Sequence, residues 1–120
     1  MSHYEIVHYK RPDGRVPFDD WFFSLKDVET QARVLTSINR LRLGNFSNCE
    51  PAREGVHELK INFGPGYRIY FAKIGLALVL FLCGGSKKGQ SRNISTAIDY
   101  LVEYKKLQKE EKKNADKKAR

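Results

Sequence analysis

Between Gly55 and Arg92 the chain reads GVHELKINFGPGYRIYFAKIGLALVLFLCGGSKKGQSR, and this stretch restricts the fold more than any other. Its residues alternate with the period of two that a pleated strand imposes. Leu59, Ile61 and Phe63 fall to one side, and Glu58, Lys60 and Asn62 to the other. Tyr67, Ile69 and Phe71 then share a face, with Arg68, Tyr70 and Ala72 opposite. Gly64-Pro65-Gly66 and Ile74-Gly75 supply turn chemistry between the runs. Three strands are expected at roughly 56–62, 66–73 and 76–83. The last, ALVLFL, is apolar on both faces and is expected in the middle of a sheet. Gly84-Gly85 reads as a turn beyond it, opening into a polar, cationic elbow.

The flanking segments supply the other elements. Tyr4 to Tyr9 alternates weakly and reads as a first strand. After turn residues 11–15, Pro17 introduces FDDWFFSLK, a short helix with acidic residues in its first turn, where the helix dipole favours them. Asp27 is a suitable N-cap for a helix over about 28–43, and Gly44 suits the position just past its end. Ala32, Leu35, Ile38 and Leu41 or Arg42 give that helix a buried face, with Arg33, Arg40 and Arg42 along the remainder. Asn45 to Gly55 reads as a polar loop. Ser95 to Leu107 reads as a last helix with Ala97, Ile98, Leu101, Val102 and Tyr104 on its buried stripe. The order β-α-α-β-β-β-α predicts an α+β fold with helices packed on one face of a mainly antiparallel four-stranded sheet, the other face open.

At 120 residues one domain is expected, over 1–104, followed by a basic helical extension or tail over 105–120. The tail holds eight Lys/Arg against three Asp/Glu, so +5 of the net +8 lies there and only +3 in the body. A basic tail raises encounter rates with any polyanion and carries no sequence information. The longest apolar run, Ile74 to Cys83, is too short for a bilayer, which takes about 20 residues. With no apolar signal segment at the start, a cytoplasmic protein without membrane contact is expected. Cys83 then reads as a buried small hydrophobe and Cys49 as a loop residue, with no disulfide between them. His3, His8 and His57 are too scattered for a metal motif, so neither a metal nor another cofactor is expected.

What remains is a set of cations on strands and elbow: Lys60, Arg68, Lys87, Lys88 and Arg92, with Gln90 among them. Such a set suits an RNA phosphodiester. Cleavage without metal requires removal of the 2′-hydroxyl proton, stabilisation of a dianionic phosphorane and protonation of the 5′-oxygen. The arginine fork matches two phosphate oxygens. Lysines crowded by other cations exchange protons more readily. Fixed cations at a developing charge are usually the largest catalytic contribution. The plainer alternative is that strand-borne cations keep an exposed sheet face solvated.

Trp21-Phe22, INRLRLGNF at 38–46, GVHELKINFGPGYRIYF at 55–71 and LCGGSKKGQSRNI at 82–94 together resemble the RelE/ParE toxin superfamily. The likeness is to its phage-derived, addiction-module killer protein branch (RelE/HigB-like) and spans about 4–104. It implies the toxin of a type II toxin–antitoxin pair, held by a cognate antitoxin that is often a small helix-turn-helix protein. RelE-like members are endoribonucleases that cleave mRNA, commonly on the ribosome; ParE-like members inhibit DNA gyrase. A catalytically silent antitoxin-binding module is the remaining alternative.

Carried onto this chain, the resemblance makes Lys60, Arg68 and Lys87 catalytic, with Tyr70 standing in for a tyrosine that ribosome-dependent members carry near positions 92–93. Arg42, Lys88, Gln90 and Arg92 are the expected RNA contacts, and Ile98, Leu101 and Val102 the expected antitoxin contacts. The chain departs from the branch at Ser86 and Asn93, where an acidic residue is usual.

Overall fold

Tyr70 and Phe71 are consecutive on one strand, so they point to opposite faces, and both are fully buried. The sheet therefore carries a core on each side. The computed structural model describes residues 3–118. Its elements run β1 (Glu5–His8), α1 (Pro17–Ser24), α2 (Val28–Arg42), β2 (Cys49–Arg53), β3 (Val56–Ile61), β4 (Tyr67–Ile74), β5 (Leu78–Ser86), a single 3-10 turn at Lys87–Gly89, and α3 (Gln90–Lys118).

This corrects the expected architecture. The sheet has five strands in the order β1-β5-β4-β3-β2 and is mixed. β1 runs parallel to β5, with Glu5 beside Leu78 and His8 beside Phe81, while the remaining neighbours are antiparallel. The additional strand, β2, lies in the segment read as a polar loop. Its sequence CEPAR has no apolar alternation and contains a proline, which an edge strand tolerates because one side of its ladder is open. Pairing with β3 is what makes it a strand, and the register slips between Pro51 and Arg53.

The helices do not share one face. Phe18 of α1 and Val34, Ile38 and Leu41 of α2 pack with Leu59, Ile61, Ile69, Phe71, Val79 and Phe81. On the other side, Ala97 and Leu101 of α3 pack with Val56, Tyr70, Ala72, Leu80 and Leu82. The face predicted to be open is thus covered over much of its area by α3. This explains the two-sided apolar character of ALVLFL: β5 is an interior strand between β1 and β4, next to the middle of the sheet, and is buried both ways.

Local features follow the sequence more closely. Asp27 caps α2 by accepting from the Thr30 amide at 3.2 Å, and Gly44 takes a φ of 90° just past its end. The buried stripe of α2 is rotated from the one expected. Val34, Ile38 and Leu41 face the sheet, while Leu35 is half exposed and Ala32 lies on the surface.

Gly84 and Gly85 lie inside β5 and not in a turn, which is a further correction. Absence of a side chain lets two neighbours sit directly on the strand. A Cβ on Gly84 would overlap the Trp21 ring, and one on Gly85 would overlap the Asn93 amide. The strand therefore continues to Ser86, and α3 begins at Gln90, earlier than its apolar stripe indicates. It also continues without a break to Lys118. No helix among the described residues is long and apolar enough to cross a membrane.

Candidate functional site

Arg68 lies near the end of β4, flanked by Lys60 on β3 and by Gly85 on β5 in direct register. Two cations facing each other across adjacent strands repel one another unless counter-charges lie nearby. Lys60 has such a partner, since its Nζ lies 2.7 Å from Oε2 of Glu50. Arg68 has no ion-pair partner among the described residues. One guanidinium nitrogen donates to the carbonyl of Tyr67 at 3.0 Å, and its buried Nε has no partner at all. The residue is only 5% exposed, so the expectation that strand alternation places it on a solvent face is corrected. Covered by its surroundings, it sits at the floor of the site.

Lys87 stands at the rim. Its amide donates to the carbonyl of Gly66 at 2.9 Å, which ties the elbow after β5 to the β3–β4 turn. Gly66 adopts a φ of 86° and borders both cations. A Cβ there would lie 3.4 Å from Cβ of Lys87 and 3.9 Å from the Arg68 guanidinium. The glycine thus lets a buried arginine and an exposed lysine meet at one turn.

Behind Arg68 lies a buried carboxylate that the sequence does not single out. Glu58 is 5% exposed and pairs in register with Tyr70. Gln90, at the start of α3, donates its amide to both oxygens, at 2.8 and 3.1 Å. The Tyr70 hydroxyl is buried and unbonded. Burial, with the Glu58 carboxylate next, pushes it up to about 12. A phenol in that position holds its proton firmly. Alternation placed Glu58 on the same side as Lys60 correctly, but nothing in the sequence marks it as the anchor of Gln90.

The remaining expected residues separate into groups. Lys88 and Arg92 are exposed and line a surface cleft with Ser86, Gly89 and Ser91, adjoining Lys87. Gln90 is engaged by Glu58 and is only half exposed. Arg42 is elsewhere. Its carbonyl accepts from Tyr4, ahead of the β1 residue that pairs with Leu78, whereas Arg68 is level with Gly85. That separation is about 25 Å along the sheet. Of the three apolar residues on the last helix, Leu101 is in the core, Ile98 is half buried against it, and Val102 is 61% exposed.

Cys83 is buried and its thiol is pushed up to about 12 by burial, while Cys49 is pushed up to about 11. Both are poor nucleophiles as they stand.

No protein-family profile matches the sequence. The chain is 39% identical over 80 residues to an uncharacterized protein of Haemophilus influenzae, covering 67% of this chain and 81% of that protein. It belongs to the same family as that protein.

Proposed function

We propose that the protein is the toxin of a type II toxin–antitoxin pair, of the RelE/ParE kind, and that it acts as an endoribonuclease on mRNA in the cytoplasm. The observation that carries this reading is Arg68. A buried guanidinium with an unpartnered Nε, beside Lys87 and opposite Lys60, is a preformed position for an anion. A phosphodiester fits it because its two non-bridging oxygens match the guanidinium fork.

In the reaction the 2′-oxygen attacks phosphorus and the bond from phosphorus to the 5′-oxygen breaks. The products are a 2′,3′-cyclic phosphate and a 5′-hydroxyl. One proton leaves the 2′-oxygen and one reaches the 5′-oxygen. Lys60 and Lys87, flanking Arg68, are the side chains assigned to these exchanges, and Arg68 to the phosphorane. Glu58 and Gln90 hold the start of α3 against the sheet, which positions the elbow that carries Lys87. An antitoxin would mask this rim.

The test is cleavage of a defined mRNA by the purified protein, alone and with ribosomes, mapped by primer extension. Discrete new 5′ ends that disappear in Arg68→Ala support the nuclease. Growth inhibition with intact mRNA and a prior DNA-damage response would assign a gyrase-type target instead. Binding of a co-encoded partner with neither effect would leave a silent binding module.

A further inference from the structure

Along α2, Arg33 and Arg40 face a cleft of about 210 Å³ whose opposite wall is the end of β3, with Asn48, Lys60, Asn62 and Phe63. The cover that β2 gives to the edge of β3 ends here: the strands pair in register only as far as Leu59, and the last bond between the segments runs from the Lys60 amide to the Asn48 carbonyl. Three of the lining side chains are cations and none is a carboxylate. Arg40 makes no ion pair or side-chain hydrogen bond among the described residues. Arg33 lies 3.9 Å from Glu29, at the limit of an ion pair, and its guanidinium sits 4.8 Å from the centre of the Phe63 ring. Lys60 is held by Glu50 at 2.7 Å, so Arg40 is the unpaired cation of the three. An unpaired arginine, neutral amides and an arginine-backed aromatic ring together suit a strand that offers both phosphate and base.

Lys60 stands at the edge of β3 between the two sites: it lines the cleft beside α2 and is in register with Arg68, which lies on the opposite face of the sheet, so a strand joining them passes round that edge. We propose that the cleft binds the phosphate of a nucleotide flanking the scissile one, so that single-stranded RNA runs from Arg68 past Lys60 to Arg40 and Arg33. The flanking base stacks at Phe63. This rests on the nuclease reading of the Arg68 site but uses residues outside it. Both arginines are exposed, so removing them does not disturb the core.

The experiment measures anisotropy of a labelled, non-cleavable 2′-O-methyl RNA dodecamer across a salt series, alongside cleavage of the unmodified dodecamer at saturating protein. The double variant Arg33→Ala/Arg40→Ala should bind about tenfold more weakly, with a salt slope lower by about one. Its cleavage rate at saturation should stay within about twofold of wild type, because no group at the reacting phosphate has changed. Lys106→Ala/Lys113→Ala removes the same charge from the exposed far part of α3 and should weaken binding much less. Equal losses in the two double variants would reduce the cleft to net charge and overturn the proposal. Unchanged binding in Arg33→Ala/Arg40→Ala while wild type cleaves would overturn it and leave the nuclease standing. Conversely, a wild type that never cleaves but loses dodecamer affinity in that variant would retain the cleft and remove the nuclease.

Discussion

Gln90 donates its side-chain amide to both carboxylate oxygens of Glu58, joining the first residue of α3 to the middle of β3. Glu58 is also in register with Glu50 on β2, so two carboxylates face one another across the strands. Each has its own compensation: Lys60 neutralises Glu50, and Gln90 satisfies Glu58. Gln90→Leu leaves a buried carboxylate without its donor and should lower stability by about 1–3 kcal/mol. Urea unfolding checks this, and an unchanged midpoint would show that water takes over the role of Gln90.

Arg68 gives the sharpest separation of charge from geometry. Arg68→Lys keeps the positive charge but loses the bidentate fork, and should cost most of the cleavage activity. Arg68→Ala should cost about 10²–10³-fold in rate. Because the side chain is buried, the alanine variant also leaves a void, so melting must be measured beside activity. Retention of full activity by both, with wild-type melting, would remove the arginine from the mechanism.

Gly84 tolerates no Cβ because the Trp21 ring lies on it. Gly84→Ala should destabilise by about 1–3 kcal/mol through overpacking. The same change in a Trp21→Leu background should cost less, since the ring it strikes is gone. In the single variant, emission of Trp21, the one tryptophan in the chain, should shift to the red as the ring is pushed outward. Additive losses in the double variant would show that the clash lies elsewhere.

Tyr9 and Arg11 donate to the Glu103 carboxylate, tying β1 and its following turn to α3. The Tyr9 hydrogen bond, and then that of Arg11, hold Glu103 below its ordinary 4.5. A depressed carboxylate contributes stability that is present above the unfolded value and lost as pH falls through the folded one. Tyr9→Phe should therefore lower stability at neutral pH and flatten the acid limb below about pH 4.5. Parallel stability curves for the two proteins from pH 3 to pH 7 would count against the coupling.

The far part of α3 makes no comparable demands. Leu107 is the last residue that packs against the core, and residues 108–117 are exposed. Deleting 108–120 should leave thermal stability within about 0.5 kcal/mol of wild type. It should also weaken nonspecific RNA binding and its salt dependence. Loss of cooperative unfolding on truncation would show that the extension supports the fold.

Local chemistry was legible in the sequence because its causes are local. Strand alternation placed Lys60, Arg68 and Tyr70 on one side of β3 and β4, Asp27 and Gly44 bounded α2, and the two-sided apolar run located an interior strand. Residues that lie side by side through register, such as Lys60 and Arg68, could be assigned to a face without knowing what covers it. What covers it depended on contacts between segments far apart in the chain. CEPAR became a strand only because β3 offered an unpaired edge, and Gly84-Gly85 became strand by pairing with Ile69 and Arg68 of β4, with Trp21 and Asn93 in the space their side chains would fill. α3 covered much of the face that alternation left open, and its first residue, Gln90, holds Glu58 there. Burial is a property of the neighbours a residue acquires, and a pattern of period two records only the direction in which the residue points.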